Sequence, residues 1–322
     1  MGWRGTLRSM AAASRAAQRD AERRRKARAK SDMASAAAEA VWEWQRIMED
    51  LVSLHADRTE MIDWHEIAES PAPEKPSHTG ERELNAQALL DAFRPGTFDF
   101  LSGGTAKRRQ KLLDAVDLAR WEDGQANQDA ERQYELASTE WLSDTALARR
   151  LLKGEAGAIH DVIAEMQQSL SKEGLIGTSI NFLISDGSVH AVARIHSDEI
   201  VPSVRRKQLA SGRLSETKMP AGEFNELYQD YVCSAALRVG GDLLNVLPLD
   251  EVYVTCTPPL LDSANGHQRP TPVLSVQIVR ETFDSLRLAG IDPSDAMKNF
   301  NHAMDFRRTK GFAEIKPLKP ID

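Results

Sequence analysis

Only two cysteines, Cys233 and Cys256, are available for thiol chemistry, and both lie inside apolar segments. A framework of structural disulfides is therefore excluded, and the pattern suits a reducing, cytoplasmic setting. No apolar run approaches the roughly 18–20 residues that cross a bilayer. The N-terminus is positively charged but lacks a following apolar core, so it does not read as a secretory signal. It formally opens on a myristoylation pattern, "MGWRGT", with the bulky Trp3 beside the acceptor glycine. Aromatic residues make up 6% of the chain. The phosphate-loop spacing is absent: "LSGGTAK" (101–107) has glycines before a lysine, but not G-x-x-x-x-G-K-[ST].

What the chain does have is separated charge. The net charge is −7, yet residues 1–31 carry ten Lys/Arg against Asp20 and Glu22. The acidic balance lies in residues 32–173, and residues 174–322 are close to neutral. On a helical wheel, Trp3, Leu7, Met10, Ser14, Ala17 and Ala21 form one seam of the basic arm. Arg4, Arg8, Arg15, Arg19, Arg23, Lys26 and Lys30 fall on the other side, and Arg24, Arg25 and Arg28 interrupt the seam. A second seam follows at Ala37, Ala40, Trp44, Ile47, Leu51 and Leu54, so a coiled coil broken near residues 22–32 is expected.

Residues 57–103 lose that period. "SPAPEKPSH" (70–78) reads as an extended linker, with a short helix near 81–92. A proline-free segment from Thr105 to about Lys153 predicts a second long helix. Its seam is Ala119, Ala126, Ala130, Tyr134, Ala137, Trp141, Ala148 and Leu152.

The rear of the chain changes to period two. "TSINFLISDGSVHAVARI" (178–195) reads as a hairpin about Asp186-Gly187, with Ile184 facing Val189, Phe182 facing Ala191 and Ile180 facing Ala193. An amphipathic helix (223–248) and strands at 251–257 and 272–279 follow. A last helix (291–300) has Asp292 at its N-cap and Pro293 at its first position. The expected fold is α+β. It comprises a basic arm (1–31), a coiled-coil helical region (32–153) interrupted by the linker, and a β-β-α-β-β-α domain (154–322). The last is a mainly antiparallel sheet with helices on one face.

Three surfaces are candidates for binding. Arg15, Arg19, Arg23, Arg24, Arg25, Lys26, Arg28 and Lys30 would neutralise a polyanion, although charge runs are commonly only a solvated helix face. A basic loop between strand and helix (201–218) adds Arg205, Arg206, Lys207 and Arg213, with no aromatics interleaved for base stacking. A long connection between two strands (258–271) puts Asn265, His267, Gln268 and Arg269 at its tip.

Catalytic readings are weaker. A metal-dependent nuclease needs acids on adjacent strands and a lysine beside them. Asp250 and Glu251 open one strand, but the next, "SVQIVR", offers Gln277 and no acid-x-Lys. Cys233 and Cys256 sit where an apolar setting keeps a thiol inert. His190 and His196 would lie about 20 Å apart along a strand, too far to share a metal. No metal-ligand set and no cofactor is expected.

At "MGWRGTLRS" (1–9), "YQDYVCSAALRVG" (228–240) and "IDPSDAMKNF" (291–300), the sequence resembles a set of uncharacterised bacterial proteins with a helical front and an α/β rear. The resemblance covers most of the chain and implies a bacterial cytoplasmic origin, but it carries no residue role. The leading expectation is a non-enzymatic binding or scaffolding protein. Its helical seams would contact a protein partner or a second copy, and its basic segments DNA, RNA or an acidic partner. The alternatives are a nucleic-acid hydrolase with a metal site built from distant residues, and a purely structural coiled-coil oligomer.

Overall fold

The computed structural model describes residues 3–57, 59–94, 104–170, 177, 179–185, 188–261 and 265–319, with side chains from residue 18 onward except at 167–170. The turn at Asp186-Gly187, residues 101–103 of "LSGGTAK" and the Arg15 side chain lie outside the described residues. Two compact units emerge: residues 1–62 with 154–322, and residues 63–153.

The first unit opens with α1 (Trp3–Val52), one continuous helix. The helix itself runs unbroken through residues 22–32, where the apolar seam was expected to be interrupted. Arginine and lysine are good helix formers, and Lys26 pairs with Glu22 one turn earlier at 2.7 Å, so the charged run supports the helix. The chain leaves this unit at residue 62 and re-enters it at residue 154, where α5 (Ala156–Leu170) buries Ile159, Val162, Ile163 and Met166.

The sheet follows. β1 (Ser179–Ser185) and β2 (Ser188–Arg194) form the expected hairpin, with Ile184 opposite Val189 and Phe182 opposite Ala191. The stretch read as a basic loop is instead a two-stranded ribbon, β3 (Val204–Gln208) and β4 (Leu214–Lys218). Helix α6 (Ala221–Val246) then crosses the sheet and returns the chain to β5 (Glu251–Cys256), which pairs parallel with β2. A small ribbon, β6 (Pro259–Leu261) with β7 (Gln268–Pro270), precedes β8 (Leu274–Val279).

Short helices α7 (Arg280–Ser285) and α8 (Pro293–Ala296) come next, and the Asp292 side chain caps α8 by accepting from the Asp295 amide at 2.9 Å. The helix expected across 291–300 stops early. The chain turns into β9 (Asn301–Arg307) and β10 (Gly311–Ala313), completing a six-stranded sheet ordered β1-β2-β5-β8-β9-β10. All of its pairings except β2–β5 are antiparallel.

Helix α6 packs on the face that carries Val254 and Ile278, and a Cβ on Gly240 would lie 2.3 Å from the Ile278 Cδ1. That glycine brings helix and sheet close enough to bury the layer between them. Alternation puts Glu251, Tyr253, Thr255, Ser275, Gln277 and His190 on the opposite, polar face.

The second unit is built on α4 (Gly104–Leu152), with α2 (Trp64–Glu69) and α3 (Glu81–Asp91) laid against it. Its inward stripe runs Val116, Ala119, Asp123, Asn127, Ala130, Tyr134, Ser138, Trp141, Thr145 and Ala148. Ala126 and Ala137, expected on this seam, are exposed, and Asn127 and Ser138 take their places. Between α2 and α3 the proline-rich segment keeps every third residue, Ser70, Pro73 and Pro76, half-buried. Three residues per turn is the period of polyproline II.

Candidate functional site

The basic surface begins with the register of α1. Ala37, Val41, Trp44, Met48 and Leu51 form its inward stripe, whereas Ile47, expected on the seam, is 41% exposed. This rear half packs on α6 and on the β3–β4 ribbon. Followed toward the N-terminus, the same side of the wheel passes Ala34 and carries Lys30, Lys26, Arg23 and Arg19, with Ala27 and Asp20 beside them. At 100° per residue the four cations fall within about 80° of Ala34. One face of one helix is thus apolar where the domain covers it and cationic where it is not. Every residue from 18 to 33 is exposed.

Ala34 is where the second basic segment arrives. The Gln208 side chain donates to the Ala34 carbonyl at 2.6 Å, across 174 residues of sequence. The ribbon tip is closed by Gly212, whose φ of +82° favours glycine and whose absent Cβ would stand 3.0 Å from the Ala34 Cβ. Arg213 follows immediately and is exposed. The structure therefore brings the ribbon tip, with Arg213 next to Gly212, against the helix at Ala34.

The cations are not equally available. Arg23 reaches Asp20 at 3.9 Å and Lys26 reaches Glu22, both in solvent-exposed pairs of little strength. Arg24, Arg25, Arg28 and Lys30 have no carboxylate partner among the described residues. On the ribbon, Arg205 is held by Glu223 at 2.7 Å and Arg206 by Glu216 at 2.9 Å, leaving Lys207 and Arg213 unpaired among the described residues.

The 258–271 connection is partly structural. The Asn265 side chain accepts from the His267 amide at 2.8 Å, and Arg269 makes a two-point pair with Glu314, tying β7 to the C-terminal tail. Gln268 opens β7.

The polar sheet face carries a bonded ladder. His190 Nε2 meets Thr255 Oγ1 at 2.7 Å, and Thr255 meets Ser275 at 2.8 Å. The Gln277 amide donates to Glu251 at 2.7 Å, and the Tyr253 hydroxyl donates to the other Glu251 oxygen at 3.1 Å. Glu251 and Gln277 do meet, as a nuclease centre would require, but both carboxylate oxygens accept from neutral donors rather than from a lysine. Burial lowers the His190 pKa. It also pushes the Cys256 thiol up to about 12 and that of Cys233 well above its usual value, away from the thiolate. Among the described residues no three His, Cys, Asp or Glu side chains are grouped as a metal would need.

A further polar set went unread in the sequence. Ser234, Arg238, Asp242 and Asn245 form a buried stripe along α6. The Arg238 Nε donates to Asp242 at 2.6 Å, and Asp242 accepts the amide and hydroxyl of Thr59 at 3.0 and 2.9 Å. The Ser234 hydroxyl accepts the His55 amide and meets its Nδ1 at 2.8 Å, while His55 Nε2 faces the Leu288 carbonyl at 3.0 Å. This Ser–His pair is buried and fixes the segment after α1. The visible signal was a charged pair four residues apart, Arg238 and Asp242, in the mostly apolar rear of the helix.

In the second unit, a groove of about 390 Å³ is lined by Trp141, Ile67 and three carboxylates, Glu66, Glu140 and Asp144, a charge that disfavours anions. No helix among the described residues is long and apolar enough to cross a membrane. Compared with known proteins, the chain matches no family model, no curated protein and no solved structure.

Proposed function

We propose that this is a binding protein whose basic surface, formed by the exposed front of α1 and the tip of the β3–β4 ribbon, grips a nucleic acid through its phosphates. The supporting observation is the junction at Ala34, where Gln208 and Gly212 hold the ribbon against the helix just as the α1 stripe turns from apolar to cationic. A merely solvated charge run has no reason to coincide with a second basic segment. The rear of α1 anchors the grip to the sheet domain, and the acidic balance elsewhere repels the same ligand from other surfaces.

The test is fluorescence anisotropy of labelled DNA and RNA with the full chain, from about 50 to 300 mM salt. Arg23, Lys26, Lys30, Lys207 and Arg213 together contribute about −4.5 to the log–log slope. Replacing Arg23, Lys26 and Lys30 by alanine lowers the slope by about 3, and replacing Lys207 and Arg213 lowers it by about 2. Absence of binding at 50 mM salt would sink the reading. A full effect from α1 with none from the ribbon would show that the junction is not the interface.

A further inference from the structure

The front of α1 is unusual in where its cations stand. Relative to Ala34 as zero on the helical wheel, Lys30, Arg23, Arg19 and Lys26 lie between about −20° and −80°, Arg24 near +80°, Arg28 near +120° and Arg25 near 180°. A helix lying flat on a polyanion needs cations on one side only. Here they surround an element that is exposed on every side from residue 18 to residue 33.

Such a helix matches a ligand that surrounds it. An α-helix with its side chains is about 10–12 Å across, and the major groove of B-form DNA is about 12 Å wide with phosphates on both walls. The sixteen exposed residues span about 24 Å, enough to cross that groove. Residues 18–33 contain no aromatic side chain, so they lack the stacking platform that single-strand binders use. A-form duplex RNA has a major groove too deep and narrow for side chains to read.

We propose, resting on the nucleic-acid reading above, that residues 18–33 of α1 enter the major groove of B-form duplex DNA. Lys30, Lys26 and Arg23 face one phosphate wall and Arg24 and Arg28 the other. The ribbon tip at Arg213 abuts the backbone where the helix emerges from the groove. Rigidity comes from the anchored half of the same helix, because residues 37–51 are packed on the domain and the register carries forward without a break.

The experiment compares a 20-base-pair DNA duplex, an RNA duplex of the same sequence and the single DNA strand, all with the full chain at 0.1 M salt. The DNA duplex is expected to bind at least about tenfold more tightly than either competitor, since only it offers a groove that admits a helix. Dimethyl sulfate footprinting should show protection of guanine N7, which lines the major groove, and none of adenine N3, which lines the minor groove. Arg24→Ala and Arg28→Ala, on the side away from the ribbon, should each weaken the DNA duplex about eightfold, the loss of one phosphate contact at this salt. Alanine keeps the helix, so these variants fold.

Equal affinity for the DNA and RNA duplexes, or protection of adenine N3 alone, overturns the groove assignment while leaving phosphate binding standing. An undiminished affinity in the Arg24 and Arg28 variants overturns it as well, because a helix on the duplex surface uses only the Lys30–Arg19 side. Failure of all three nucleic acids to bind overturns both this inference and the reading beneath it.

Discussion

Helices α4 and α6 solve the same problem in different surroundings. Each holds an irregular stretch of chain by its backbone, using polar side chains spaced along one stripe. On α6, Asp242 accepts the Thr59 amide at 3.0 Å and Asn245 donates to the Thr59 carbonyl at 2.8 Å. On α4, Asn127 accepts the Thr79 amide at 3.2 Å and donates to its carbonyl at 3.1 Å, while Asp123 takes the Glu83 amide at 2.9 Å. That last bond supplies the N-terminal cap that Gly80 cannot give α3. The α6 stripe is sealed in a core, with Asp242 fully buried and Arg238 only 6% exposed. On α4 the Asn127 bonds are exposed, and the Asp123 carboxylate, itself buried, bonds an amide that is only partly covered. Equivalent bonds therefore carry unequal weight: inside, a missing partner leaves a stranded charge, whereas outside, water replaces it.

The largest effect is expected from Asp242→Ala. Arg238 would lose its buried carboxylate partner, keeping contacts such as the exposed Asp57 at 3.3 Å and the Leu54 carbonyl at 3.5 Å. Removing one member of a buried ion pair costs about 3–5 kcal/mol, and urea unfolding of the sheet domain should show a loss of that size. A loss below about 1 kcal/mol would mean that Asp57 closes over the arginine and that the α6 stripe is no stronger than its surface counterpart.

A smaller effect comes from pH. His55 Nε2 donates to the Leu288 carbonyl, so its Nδ1 accepts from the Ser234 hydroxyl, and burial lowers its pKa from 6.5. A group depressed in this direction stabilises fully above its unfolded value and loses that contribution as pH falls below about 6.5. Asp230 opposes it: burial raises this carboxyl to about 6, so its folded form holds a proton that the unfolded chain releases between about pH 4 and 6. Amide exchange across residues 53–62 should therefore quicken, after correction for intrinsic rates, as pH falls from 7.5 toward 6. Asp230→Asn should extend that trend below pH 6. Protection that does not change in either protein would show that His55 stays neutral in the unfolded segment or is not what holds it.

Much of this frame was legible before the structure. The β1–β2 register was readable residue by residue because one face must be dry and a hairpin turn fixes the phase. The Asp292 cap followed from side-chain chemistry alone. The β3–β4 ribbon was not legible, since "VRRKQ" and "LSETK" show no apolar alternation and it is held by Gln208 reaching a helix 174 residues away. For the same reason both basic segments were visible as segments while their union was not. On α1, two alternations competed, one through Ala40 and Ile47 and one through Val41 and Met48. Only the partner surface decides between such seams. On α6 the pattern showed an amphipathic helix, and Ser234, Arg238, Asp242 and Asn245 acquire meaning only once residues 54–57 and 59–62 are seen lying along them.

The least costly break in the comparison is on α4. Asp123→Ala and Asn127→Ala each remove a bond that water can partly replace, and each should destabilise the 63–153 unit by about 1 kcal/mol while leaving the sheet domain unchanged. The effect should be local first. Between Trp141, whose indole donates to the Ser70 carbonyl at 3.0 Å, and Asn127, which holds Thr79, the helix advances about 21 Å. Nine steps of polyproline II reach about 28 Å, so the linker covers that interval with length to spare and is fixed at its two ends. Releasing the Thr79 end should make residues 71–79 a protease site in native protein, cut faster in Asn127→Ala than in Asp123→Ala, whose bond holds α3 rather than the linker. Equal cleavage of both variants would show that α3 and the linker open as one piece, and that the exposed grip is as cooperative as the buried one.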